Sequence, residues 1–121
     1  MSLPKNKSFK NDEYSNIKFY QPIGLYILDC QSPLGAIPSL KNGKLDPWDH
    51  IEAAMGLSIA GKKEASERAF LWLKDNQLTD GSWYAEYLKS IPATKRRETN
   101  FSAYIATGLW HYYLIFEDKI L

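Results

Sequence analysis

Residues 69–83 read Ala-Phe-Leu-Trp-Leu-Lys-Asp-Asn-Gln-Leu-Thr-Asp-Gly-Ser-Trp, and their spacing decides how the chain is organised. Large apolar side chains at helical spacing run as far as Leu73. Gln77, Gly81 and Trp83 then follow at fixed intervals. Gln77 falls where a helix leaves its last carbonyls without partners, and its amide can cap them. Gly81 permits the positive φ of a turn. Trp83 is expected to lay its ring over the Gln77 amide and staple the turn to the next element. An ordinary helix end followed by a buried Trp accounts for the same residues more simply.

The stretch has a copy. An offset of 46 residues places Leu25 to Gln31 on Leu71 to Gln77, Gly35 on Gly81 and Ile37 on Trp83. An offset of 50 places Ile51 to Met55 on Phe101 to Ile105, Asp49 on Thr99 and His50 on Asn100. A period near 50 with two helices in each unit describes stacked helical hairpins.

Four helices are expected. The first covers 17–31, with Pro22 in its first turns or kinking it. The second covers 47–60, with Asp46 as N-cap, Pro47 as first residue and Gly61 beyond its end. Its apolar stripe is Ile51, Ala54, Met55 and Ile59. The third covers 63–77 and buries Ala65, Ala69, Trp72 and Leu73, with Phe70 beside them. The fourth covers 99–116 and is apolar nearly all round, which predicts burial on several sides. No alternating strand pattern competes, so the fold class is all-α. The domain is expected over 16–121, with 1–15 disordered or loosely attached.

Bulk properties narrow the function classes. A net charge of +1 gives no case for nucleic acid or a membrane surface. The single Cys30 forbids an internal disulfide and suits a reducing compartment. No apolar run reaches membrane-spanning length and no signal peptide is evident. A cytoplasmic protein is expected.

Glu67 to Gln77 followed by Gly81-Ser82-Trp83 resembles the QW repeat of squalene-hopene and oxidosqualene cyclases. The wider resemblance, over roughly 16–116, is to the terpenoid cyclase and protein prenyltransferase superfamily. Asp46-Pro47-Trp48-Asp49-His50 is similar to a segment of bacterial prenyltransferase-like proteins. The resemblance implies an α/α toroid of two concentric helix rings, the helices at 47–60 and 99–116 being inner. It also implies an apolar, isoprenoid ligand. The cyclases' Asp-x-Asp-Asp acid motif is absent, as is the zinc-binding Asp, Cys and His set of the prenyltransferases. Neither a metal nor a cofactor is expected.

Asp46, Asp49, His50 and Glu52 cluster at the start of the second helix. A buried carboxylic acid there could protonate a substrate or act as a base. Capping explains the same residues. The catalytic set on this reading is Asp49, with His50 orienting it, and Glu98 and Asn100 completing a polar ring. Trp48, Tyr104 and Trp110 line the cavity, joined by His111 and Glu86. His111 also suits a hydrogen-bonded core position, and Glu86 a solvent-facing one. Lys95-Arg96-Arg97 could hold a diphosphate or simply be solvated. Two further readings stand beside this one. One is a non-catalytic helical-repeat module. The other is a carbohydrate-active (α/α)-barrel enzyme, which needs two carboxylates across a cleft. A repeat array needs roughly three or more units. With two units here, a fragment of a longer protein or a homo-oligomer is expected.

Overall fold

The computed structural model describes residues 11–120. It is mostly helical with a small sheet. The order is α1 (Asn11–Cys30), β1 (Lys44–Leu45), α2 (Pro47–Ile59), α3 (Lys63–Asp75), β2 (Tyr87–Leu88), β3 (Ile91–Pro92) and α4 (Thr99–Phe116). All four expected helices are present. The first starts at Asn11 rather than 17 and runs through Pro22. The expectation of a loose N-terminal tail lies, for residues 1–10, outside the described residues.

The sheet corrects the expectation of no strands. Its order is β1-β2-β3, antiparallel throughout. Lys44 pairs with Leu88, and Leu88 with Ile91. Strands of two residues cannot display a period of two, and the hairpin turn Lys89-Ser90 lacks the usual Asn-Gly signal.

Local signals at the ends of α2 work as read. The Asp46 carboxylate accepts from the Asp49 N–H at 2.9 Å. Gly61 turns the chain at φ +73, and Lys62 N–H reaches back to Leu57 O at 2.8 Å.

The two Gln-Gly turns share one backbone. Gly35 N–H donates to Ser32 O at 2.9 Å and Gly81 N–H to Leu78 O at 2.9 Å. Ser32 N–H donates to Ala36 O and Leu78 N–H to Ser82 O, both at 2.8 Å. Each Gln amide donates to its own glycine carbonyl, at 3.2 Å for Gln31 and 3.0 Å for Gln77. Both glycines have positive φ, +99 and +85. Trp83 differs from expectation: its indole N–H donates to Leu73 O at 2.7 Å rather than covering the Gln77 amide. The second offset also shifts. The N-cap residues Asp46 and Glu98 lie 52 residues apart, as do the close-packed Gly56 and Gly108.

α2 is the central helix and touches the other three. Gln21 on α1 donates to Ala60 O at 2.7 Å, and Ile27 meets Gly56, so α1 runs antiparallel to α2. α3 does the same, because Ser66 Oγ bonds Ala54 O at 3.0 Å while His50 bonds Ala69 O. α4 runs parallel to α2, with Trp48 against Tyr104 and Ile51 against Gly108. A Cβ at Gly108 would lie 2.6 Å from Ile51 Cγ2, so the glycine sets this approach.

The core is built from Ile51, Ala54 and Leu57, from Ala69, Phe70, Trp72 and Leu73, and from Trp83, Tyr87 and Tyr112. The stripe expected on α2 is half right, since Met55 is only half-buried and Ile59 is exposed. On α4 only Gly108 and Tyr112 are buried. Trp110 and Leu114 are each 60% exposed, contrary to the expected burial on several sides. The neighbours available to α4 cover just one face.

Candidate functional site

Both long connections, 31–46 and 76–98, deliver the chain to the start of a parallel helix, α2 or α4. The small sheet and the acidic residues gather at this end. Asp46 is committed as N-cap. Asp49 follows in the first turn with an exposed side chain. It borders a hollow of about 220 Å³ with Tyr26, Cys30, Ile37 and Pro38. Desolvation beside that hollow raises its carboxyl above the usual range, and the neighbouring Asp46 and Glu52 carboxyls raise it further.

Glu52, one turn on, is held by aromatics. Its Oε1 accepts from Trp48 Nε1 at 2.9 Å and from Tyr104 OH at 3.4 Å. The Trp48 and Tyr104 rings stack at 3.9 Å and 7°, with Phe101 6.4 Å from Trp48. Burial raises the Tyr104 phenol, and Glu52 adds to the effect. The result is a carboxylate fixed beside an aromatic platform. Sequence reading placed Glu52 in the acidic cluster but not in the site. Its place one turn after Trp48 was the available signal.

His50 sits elsewhere, in the core and fully buried. Nδ1 accepts from Ile37 N–H at 3.1 Å, which leaves the proton on Nε2 to donate to Ala69 O at 2.8 Å. Burial lowers its pKa to about 4, against the opposing effects of the Ala69 bond and the Asp46 charge. With both nitrogens spent on backbone, the ring has none left to orient Asp49.

The expected polar ring is not assembled. Glu98 pairs with Arg96 and makes no cap bond, and Asn100 is exposed. Arg97 pairs with Asp80, so both guanidiniums of the basic trio already face carboxylates. Glu86 is taken by Lys44 at 3.1 Å. Trp110 lies two turns beyond Tyr104, stacked on Tyr113 at 5.6 Å beside a separate hollow of about 390 Å³. His111 is half-buried, and burial lowers its pKa. Its Nδ1 has no partner among the described residues. The structure thus stacks Trp48 on Tyr104, sets Asp49 beside a different hollow against α1, and leaves the other six apart from both.

No family profile matches the chain. It is similar to the MMP endo-(1,4)-3-O-methyl-alpha-D-mannosidase of Mycolicibacterium hassiacum, at 43% identity over 93 residues. The match takes in 77% of this chain and 26% of the mannosidase, so the chain spans about a quarter of that protein's length. This overturns the resemblance to terpenoid cyclases and prenyltransferases, and with it the isoprenoid ligand. The reason lies in the motif itself. Gln, Gly and Trp at this spacing close a helix end, and a turn device of that kind belongs to helical hairpins whatever chemistry they carry. Among the described residues no helix is long and apolar enough to cross a membrane.

Proposed function

We propose that this chain contributes to the hydrolysis of an α-mannoside, with Asp49 as the proton donor. The observation that carries the reading is the 43% identity over 93 residues to a protein named for cleaving a methylated α-mannoside. It is the carbohydrate-active reading of the sequence, and the local chemistry agrees with it. Glycosidases pair a protonated carboxyl with a second carboxylate. Desolvation and the neighbouring carboxyls raise the Asp49 carboxyl above the usual range, the direction that suits a proton donor. Asp49 hands its proton to the leaving glycosidic oxygen while water adds to the anomeric carbon. Glu52, one turn further along α2, supplies the second carboxylate and takes the proton that the water gives up. The Trp48–Tyr104 stack supplies a flat apolar face of the kind that lines ligand sites. The parallel α2 and α4, flanked by α1 and α3, suit the inner and outer helices of an (α/α) barrel, to which the two hairpins contribute one sector.

The test is incubation with α-(1→4)-linked 3-O-methylmannose oligosaccharides, followed by mass spectrometry of the products. Shorter oligosaccharides should appear, and Asp49→Asn should abolish them while leaving the circular-dichroism melt in place. Absence of both cleavage and binding in the unaltered chain would refute the reading.

A further inference from the structure

A second hollow, of about 550 Å³, lies between the 29–45 segment and the β2–β3 turn. It shares Cys30 and Pro38 with the hollow that Asp49 borders, so the two meet at a common wall. Its volume falls within the range of small-molecule sites. Its lining is mixed. Asp29, Asn42 and Lys89 provide hydrogen-bonding groups, and Leu34, Pro33 and Leu45 provide apolar surface. Leu34 is 77% exposed, unusually open for a leucine beside a concavity.

The backbone around it adds a second observation. Among the described residues four non-glycine residues have positive φ, and three of them line this hollow: Asn42 at +62, Lys89 at +49 and Ser90 at +63. A two-residue hairpin turn needs positive φ at both positions and is normally Asn-Gly. Lysine in that conformation is strained, and strain of this kind gathers at ligand sites. Ser90 has a structural role, because its Oγ accepts from the Trp72 indole N–H at 3.3 Å. Lys89 has none: among the described residues it makes no ion pair, and its side chain is exposed. Lys41 is already paired with Asp29 at 2.9 Å, so the hollow is not a strongly cationic trap for anions.

We infer that this hollow is a saccharide subsite adjoining Asp49, in which Lys89, Asn42 and Asp29 hold ring hydroxyls and the Leu34–Pro33–Leu45 wall receives an O-methyl group. The inference rests on the glycoside reading. It names the substrate class as a neutral, partly O-methylated oligosaccharide that extends from the acid into the hollow. Lys89 is then a binding residue, kept in an unfavourable backbone conformation for its ammonium group.

Isothermal titration of the whole chain with a 3-O-methylated α-(1→4)-mannotetraose tests it, with thermal melts run alongside. Lys89→Gly should bind about tenfold more weakly than the original chain yet melt at the same temperature or a few degrees higher, since glycine removes the strain. Asn42→Gly should behave alike, which covers the case of a Lys89 variant that fails to fold. Lys95→Ala, outside the hollow, should bind unchanged. Unmethylated mannotetraose should bind several-fold more weakly than the methylated one. Equal affinity in the original chain and both glycine variants would overturn the subsite and leave the glycoside reading standing. No binding of either sugar by the original chain would overturn both.

Discussion

The turn at Gln31–Ile37 and the turn at Gln77–Trp83 share three internal hydrogen bonds and have different anchors. In the first, the Gln31 amide also reaches Ala65 O on α3 at 2.8 Å, and the Ile37 N–H is held by His50. In the second, the Gln77 amide serves only its own turn among the described residues, and the Trp83 indole is tied to Leu73 O. The first turn is thus wedged between neighbouring elements, and the second is fastened by one large side chain from within. A repeated sequence motif can preserve a backbone shape while the means of holding it diverge.

Alanine at the two glycines should break the comparison most visibly. A Cβ at Gly35 would overlap the Arg68 carbonyl oxygen and carbon. A Cβ at Gly81 finds only Gln77 Nε2, at 3.8 Å. Both substitutions carry the cost of positive φ, about 1–2 kcal/mol. Gly35→Ala should add backbone displacement and lose at least about 4 kcal/mol in urea unfolding, whereas Gly81→Ala should stay near the conformational cost. Equal losses would mean that the wedge is not a wedge.

Acid should separate the turns next. His50 is neutral in the folded protein, with its pKa lowered to about 4. In the unfolded chain it titrates near 6.5. Between those values the unfolded state binds the extra proton, so stability is complete above about pH 6.5 and declines as pH falls toward 4. The loss is on the order of 3 kcal/mol, and His50→Gln should flatten the slope. Hydrogen exchange should show the Ile37 amide losing protection before the amides of the second turn. Simultaneous loss would show that His50 holds the whole core rather than one turn.

The Gln side chains give the finest contrast. Gln31→Ala removes bonds to two backbone carbonyls and to Arg68 and should cost about 1–2 kcal/mol. Gln77→Ala removes one exposed bond and should cost about 0.5 kcal/mol. Thermal melts of the two variants check the ratio.

What could be read in advance follows from the range of the physics involved. Asp46, Pro47 and Gly61 act within a few residues of themselves, and the ends of α2 fell where they point. The buried set on α3 was visible because its spacing is a local property. His50 was misread because its partners, Ile37 and Ala69, lie 13 and 19 residues away and share no pattern with it. Glu52 gained its place from Tyr104, 52 residues distant. The exposed side of α4 was read as buried because apolar composition reports what a helix can bury and not which neighbours are present. Function was misread for a related reason: the most legible motif is a turn, and a turn has no substrate.

The parallel run of α2 and α4 has an electrostatic consequence of its own. Each helix ends in a partial positive charge of about half a unit at its first turn. Antiparallel neighbours cancel such charges, but these two place them side by side. Asp46 and Asp49 at one start and Glu98 at the other supply the negative charge that this arrangement calls for. The acidic residues at this end therefore keep two like poles together. Neutralising them should loosen the α2–α4 seam before any other, and added salt should soften that effect by screening both poles.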